Sequence, residues 1–169
     1  MTEYQFVPDD RLFLDANVWL LVHGPRAFAD SRVDLYTEAY KRILEARSRI
    51  HIDILVVSEI IHAIVKVRCR LARCRGIKEF LASDTYPQTA REASDIIGRI
   101  SRFCLRIDDC FSTMSIDRIM DEFSESRSGF NDHLLTDICK RESLTLVTDD
   151  SDFRDKDIRI LTANNNLLE

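Results

Sequence analysis

Residues 11–15 read Arg-Leu-Phe-Leu-Asp, a short apolar run that ends in an acid. Such a run predicts a buried β-strand. Further strands are predicted at 50–57, 103–107, 144–147 and 158–161. Segments with helical spacing of apolar residues lie between them, and each parallel crossover needs a covering helix. The sequence therefore predicts an α/β fold with a mostly parallel central sheet of about five strands.

The helices between these strands are marked by apolar periodicity and by capping residues. A helix is predicted over 30–49, with Asp30 or Ser31 as its N-cap, and a long helix is predicted from Ser58 until Gly76 closes it. After a loop at 84–88, further helices are predicted over 89–102, 115–126 and 132–141.

Length and composition favour a single globular domain over residues 1–169, since 45% of the residues are hydrophobic and 31% are charged. The formal net charge is −5, so an anionic partner would have to be bound by a local group of cations. Five cysteines without a C-x-x-C pair favour neither a disulfide framework nor a zinc site, and they suit a reducing cytoplasm. We expect no export signal and no membrane span, because no apolar segment reaches the ~18 residues that a span needs.

Four acids stand where a parallel sheet would expose them at one edge. Asp15 ends the first strand, Glu59 follows the second, Asp150 follows the fourth, and Asp132 begins a helix. Ligands of open parallel sheets bind outside the carboxyl ends of the strands, so these acids are the candidate site. Gathered carboxylates repel each other and favour a divalent cation between them. Oxygen ligands alone favour Mg²⁺ or Mn²⁺ over zinc. A metal held in this way can activate water against a phosphodiester.

The same residues resemble the PIN-domain ribonucleases, many of which are toxins of toxin–antitoxin pairs. Leu14-Asp15-Ala16-Asn17-Val18 is similar to the opening block of that family, and Ser58-Glu59 is similar to its second block. Phe130-Asn131-Asp132-His133 resembles the third block, and Thr148-Asp149-Asp150-Ser151-Asp152-Phe153 resembles its closing T-x-D-x-D-F. The resemblance implies a three-layer α/β/α fold, Mg²⁺ or Mn²⁺, and endonucleolytic cleavage of RNA, with an antitoxin protein and a second copy of the chain as further partners. Extra helical length is expected around 65–89, because many toxins of the family are shorter.

Within the closing block, the resemblance makes Asp150 a metal ligand, and Asp152 a second or water-mediated ligand, while Asp149 is expected to point elsewhere. Thr148 is expected to hydrogen-bond a ligand carboxylate, and Asn17 to hold the Asp15 loop.

The third ligand has competing candidates. Asp132, Asp137 and Asp121 all lie on the two predicted helices between residues 115 and 141. Asp137 would lie about 140° round the helix from Asp132, so both cannot face one metal. The helix N-terminus favours Asp132. His62 and His133, beside Glu59 and Asp132, are either proton shuttles or ordinary partly buried residues.

Six cations occur between residues 66 and 78 without an acid among them. Helical spacing would place Lys66, Arg70 and Arg73 near one face, where they could contact RNA phosphates. The alternatives are a solvated helix face and a surface that contacts an antitoxin or a second copy of the chain.

Two functions from different classes fit the sequence. The first is a metal-dependent endoribonuclease, either a toxin or an RNA-processing enzyme. The second is a PIN-like module that binds RNA or protein without cutting. A third kind of protein, an α/β phosphotransfer enzyme, would carry D-x-D-x-T after the first strand, but this chain has Asp15-Ala16-Asn17-Val18-Trp19 there.

Overall fold

The structure, a computed structural model, describes residues 1, 3–25, 32–108 and 111–167. Within these residues the strands are β1 (Arg11–Leu14), β2 (Arg49–Ile52), β3 (Cys104–Arg106), β4 (Thr145–Val147) and β5 (Ile160–Leu161). The helices are α1 (Ala16–His23), α2 (Val33–Glu45), α3 (Ile54–Leu71), α4 (Ile77–Leu81), α5 (Tyr86–Ser101), α6 (Ile116–Glu125) and α7 (Phe130–Arg141). Short 3₁₀ helices span Phe111–Thr113, Ser151–Phe153 and Asn165–Leu167.

The five strands form one sheet in the order β3-β2-β1-β4-β5, and every pairing is parallel. Phe13 of β1 pairs with His51 on one side and with Leu146 on the other, so β1 is central. Leu12, Phe13 and Leu14 have no exposed surface, which explains the uninterrupted apolar run. The predicted parallel sheet is confirmed.

The strand order changes direction at β1. The chain moves outward from β1 to β2 and β3, and then returns to the other side of β1 to form β4 and β5. Right-handed crossovers in opposite directions place helices on both faces of the sheet, so the three-layer α/β/α fold is confirmed. The reversal also opens a crevice between the carboxyl ends of β1 and β4. Asp15 and Thr148 directly follow these two strands.

The predicted strand over 50–57 is wrong beyond Ile52. The Asp53 carboxylate accepts a hydrogen bond from the Val56 amide at 2.8 Å and caps α3, which begins at Ile54. Val56 and Ile60 are completely buried on that helix. The β-branched residues therefore pack as the inner face of a helix, because burial outweighs their preference for strands.

Other helix boundaries also differ from the sequence prediction. Gly76 does not close the long helix, which ends at Leu71; it precedes α4 instead. The predicted loop over 84–88 is partly helical, because α5 begins at Tyr86 with a proline in its first turn. The helix α1 was not predicted, and it carries the fully buried Trp19. The predicted caps Asp30 and Ser31 lie outside the described residues.

Candidate functional site

Asp15 lies at the centre of the carboxyl edge, between the end of β1 and the start of α1. Its side chain is 5% exposed. The Thr148 hydroxyl donates a hydrogen bond to Asp15 Oδ2 at 2.7 Å, and the Asn17 amide donates to the same oxygen at 2.6 Å. Thr148 is completely buried. The predicted contacts of Thr148 and Asn17 with this aspartate are therefore present.

The residues after β4 place successive acids in different surroundings. The Asp150 amide donates to Thr148 Oγ1 at 3.0 Å, and Asp150 Oδ1 accepts from the Asp152 amide at 3.0 Å. Asp149 points away, as predicted. Its carboxylate accepts a hydrogen bond from the Tyr36 hydroxyl at 2.9 Å and forms a salt bridge with Arg32.

Glu59 and Asp132 reach this region from two helices. Both side chains are partly exposed. Asn131, at the start of α7, donates a hydrogen bond to Glu59 Oε1 at 2.6 Å. Asp132 Oδ2 accepts one from the Gly129 amide at 2.7 Å, so its carboxylate caps its own helix.

The competing acids of the third position lie in other environments. Asp137 is buried and forms salt bridges with Arg118 at 2.5 Å and with Arg141 at 2.7 Å. Its charge is thereby compensated inside the fold. Asp121 is exposed on α6. Of the three candidates, Asp132 alone acts electrostatically on Glu59.

Electrostatic repulsion connects the four predicted acids. Burial raises the pKa of Asp15 from 3.8 to about 7, and the charges of Glu59 and Asp150 raise it further against the Thr148 and Ala16 hydrogen bonds. Burial also raises the pKa of Glu59, to which the charge of Asp132 contributes.

Burial likewise raises the pKa of Asp132, and the charges of Asp150 and Asp152 add to this effect, whereas the Gly129 amide and Lys156 lower it. Repulsion therefore acts between pairs of these acids: Asp15 with Glu59 and Asp150, and Asp132 with Glu59, Asp150 and Asp152. Within the described ranges, no three His, Cys, Asp or Glu side chains stand close enough together to hold a metal ion.

The model of one protein family, the PIN domain, matches residues 12–159, which is most of the chain. The chain belongs to the PIN domain family. No curated protein matches its sequence.

Two solved structures have the same fold as this PIN domain. VapBC2 from Rickettsia felis, bound to a DNA fragment from its promoter, is 16% identical with a TM-score of 0.59, over 90% of this chain and 98% of that one. PAE2754 from Pyrobaculum aerophilum is 18% identical with a TM-score of 0.52, over 94% of this chain and 93% of that one.

The basic run of this PIN domain does not form one continuous helical face. Lys66 and Arg70 are exposed on α3, and at ~100° per residue they share a face with Glu59. Arg73 lies beyond the helix with a φ of 56°, so its predicted helical spacing from Arg70 is wrong. Arg68 is paired with Glu92 at 2.5 Å.

Several residues of the PIN domain site were not singled out from the sequence. Asn131 adjoins Asp132 in the third block, and an amide beside a ligand candidate was the available signal. Lys156 and Tyr36 carried no local signal, because they reach the site only through the fold. His62 is exposed, whereas His133 is buried and shares a hydrogen bond with Ser126 at 2.8 Å.

No helix in the described part of the chain is long and apolar enough to cross a membrane.

Proposed function

We propose that this PIN domain is an endoribonuclease that depends on Mg²⁺ or Mn²⁺. Asp15, Glu59, Asp132 and Asp150 are the proposed metal ligands, and Asp152 is a further candidate. The observation that carries the proposal is the buried Asp15, whose pKa is raised to about 7 while the charges of Glu59 and Asp150 act on it. A buried group with so perturbed a pKa at the switch point of a parallel sheet is typical of a functional site.

The donor set fits a hard divalent cation. All proposed ligands are carboxylates, and Mg²⁺ and Mn²⁺ prefer oxygen. Burial is the main cause of the raised pKa values of Asp15, Glu59 and Asp132, and repulsion between the acids adds to it. A positive charge bound among them would offset both effects. Glu59 and Asp132 currently hydrogen-bond to Asn131 and to the Gly129 amide. In each carboxylate the second oxygen, Glu59 Oε2 or Asp132 Oδ1, could then bind the metal.

A divalent cation bound there would activate a water molecule and neutralise charge on the phosphate. The chain's own residues orient the ligands. Thr148 and Asn17 hold Asp15 Oδ2, and the Thr148 hydroxyl also accepts the Asp150 amide, so Asp15 and Asp150 keep a fixed relation. Asn131 restrains Glu59 in the same way. Such neighbours of a ligand raise metal affinity by holding its geometry.

Cleavage assays test this function. Purified protein is expected to cut RNA with Mn²⁺ or Mg²⁺ and to stop when EDTA is added. Asp15→Asn keeps the shape of the side chain but removes its charge, and it should abolish cleavage. Asp121→Asn, a matched change of an exposed acid on α6, should cut like the wild type. Equal cleavage by Asp15→Asn would indicate contamination or another site, and RNA binding without cleavage by any form would favour the non-cutting module.

The proposed RNA contacts include Lys66, Arg70 and Arg73. Lys66 and Arg70 continue the exposed face of α3 that begins at Glu59, at about 1.5 Å of rise per residue. An RNA strand that is cut near Glu59 could therefore place its neighbouring phosphates against Lys66 and Arg70. Replacing all three by Gln should weaken RNA binding and lower its salt dependence by about 0.7 per lost contact, while metal binding stays unchanged. If the salt dependence of RNA binding is unchanged, these residues form an ordinary solvated helix face and do not contact RNA.

We also propose that the protein is the toxin of a toxin–antitoxin pair. Many PIN domains have that role, and the fold is shared with VapBC2 of Rickettsia felis. Growth should stop when the wild-type chain is expressed alone and recover when the product of a short adjacent reading frame is expressed with it. Asp15→Asn should be harmless alone. Growth arrest by Asp15→Asn equal to that of the wild type would contradict toxicity by cleavage.

A further inference from the structure

A cleft of about 680 Å³ lies beside the carboxylate group. One wall is the segment before α7, and the other is the 3₁₀ helix that follows β4 together with the residues after it. The Ser128 hydroxyl bridges the two walls by donating to the Asp152 carbonyl oxygen at 3.4 Å. The lining residues that matter here are Ser126, Arg127, Ser128, Asp152, Arg154 and Lys156.

The cations of this cleft form no salt bridge with a carboxylate of the described residues. Asp152 and Asp155 also line it, yet among the described residues no salt bridge joins a carboxylate to Arg127, Arg154 or Lys156. Arg118 and Arg141, in contrast, form salt bridges with Asp137. Arg154 donates a hydrogen bond to the Asn166 carbonyl oxygen, and the charge of Lys156 lowers the pKa of Asp132. Three cations outside salt bridges on one concave surface still attract anions, even on a chain with a net charge of −5.

Two residues that line the cleft, Lys156 and Ser126, contact the buried His133. Lys156 Nζ lies 3.3 Å from His133 Nδ1, and His133 is 3% exposed. The other ring nitrogen of His133 shares a hydrogen bond with the Ser126 hydroxyl at 2.8 Å. Lysine, arginine and serine side chains are among the groups that contact phosphate oxygens in nucleic-acid complexes. The cleft therefore combines cationic and hydroxyl donors on a fixed base.

We propose that this cleft binds an internal phosphodiester of the RNA strand, next to the one cut at the carboxylates. The assignment rests on the proposed function for its ligand, and the position follows from Asp152. This residue lines the cleft, and it donates its amide hydrogen bond to Asp150 at 3.0 Å. An RNA strand lying over the carboxylates could thus place its neighbouring phosphate beside Arg127 and Arg154.

The test measures RNA binding in EDTA, so that cleavage plays no part. The probe is a fluorescein-labelled single-stranded RNA of about 12 nucleotides, titrated at several salt concentrations. Arg127→Gln/Arg154→Gln is compared with wild type. The double variant should bind on the order of tenfold more weakly, and its slope of log affinity against log salt should be shallower by about 1.4, because each lost phosphate contact removes about 0.7.

The control removes two charges elsewhere. Lys41 is exposed on α2 and Arg102 is exposed two residues before β3, and neither lines the cleft. Lys41→Gln/Arg102→Gln should retain the wild-type salt slope and affinity. If the two double variants behave alike, or if the wild type binds no RNA in EDTA, the cleft assignment is overturned. Thermal melting of both variants checks that these exposed changes leave the fold intact.

Two further measurements distinguish an internal phosphate from a terminal one, and the cleft proposal from the nuclease proposal. The RNA is tested with and without a 5′-phosphate, and the loss of binding should be the same for both. A loss confined to the 5′-phosphorylated RNA would overturn the internal position in favour of a terminal phosphate. Weaker binding by Arg127→Gln/Arg154→Gln with no cleavage by the wild type would keep the cleft and reject the nuclease. Cleavage by the wild type with unchanged binding by this variant would do the reverse.

Discussion

The two halves of the carboxylate group are held in different ways. On the strand side, Asp15 is 5% exposed and accepts hydrogen bonds from two side chains, one of them the fully buried Thr148. On the helix side, Glu59 and Asp132 are partly exposed, and each accepts a single hydrogen bond from the described residues. A buried carboxylate needs such donors because it has lost its water, whereas an exposed one keeps part of its hydration.

The two halves of the carboxylate group therefore differ in how firmly their side chains are held. The strand side is a pre-arranged half whose geometry is determined by the sheet and by Thr148. The helix side can adjust, since its carboxylates bond to neighbours that also lie at helix starts. The strand side should therefore respond more strongly than the helix side to a change of a supporting residue.

The largest expected effect concerns the stability of the metal-free protein. Burial raises the pKa of Asp15 from 3.8 to about 7, so folding favours the protonated carboxyl group. The contribution of Asp15 to stability is therefore best below about pH 4 and is lost as the pH rises through about 7. Asp15→Asn has no such loss. At about pH 8 its free energy of unfolding should exceed that of wild type by up to about 4 kcal/mol, and by less at about pH 5.

Urea unfolding at both pH values, in EDTA, measures this difference. Asp121→Asn, which changes an exposed acid, should show the wild-type dependence on pH. If the free energies of unfolding of Asp15→Asn and the wild type depend on pH in the same way, the pKa of Asp15 is not raised by folding. The proposed difference between the two halves would then be wrong.

A smaller effect is expected from Thr148→Val, which removes a buried hydroxyl without changing the volume greatly. This hydroxyl donates to Asp15 and accepts from the Asp150 amide. Losing such a neighbour of a ligand typically lowers metal affinity by roughly 10- to 100-fold. Mn²⁺ titration by calorimetry measures it. Thr89→Val, at a buried threonine of α5, is the control and should bind Mn²⁺ as the wild type does.

The smallest effect is expected from Asn131→Ala on the helix side. It removes the hydrogen bond to Glu59 Oε1, but the partly exposed carboxylate can be hydrated instead. Mn²⁺ affinity should fall by less than about tenfold. The same titration applies, with Ser58→Ala as an exposed control on α3. A loss as large as that of Thr148→Val would mean that both halves are equally pre-arranged.

The accuracy of the sequence prediction follows the same division. β1 and β4 were predicted almost to the residue, and with them the edge positions of Asp15 and Asp150. Glu59 was placed just beyond a strand, whereas it lies in the second turn of α3. The error arose because the β-branched residues after Asp53 look like strand, and only their burial against the sheet makes them helix.

The sequence by itself determined which segments are buried strands and which acids follow them, because a short apolar run and the residue that ends it are local features. Tertiary structure alone decided the rest. The strand order brings β4 beside β1, so a threonine 133 residues away bonds to Asp15, and Asp137 is compensated by Arg118 and Arg141. Such contacts depend on packing between distant segments, which no local spacing encodes. For the same reason the cations beside Asp152 form a cleft only in the folded chain.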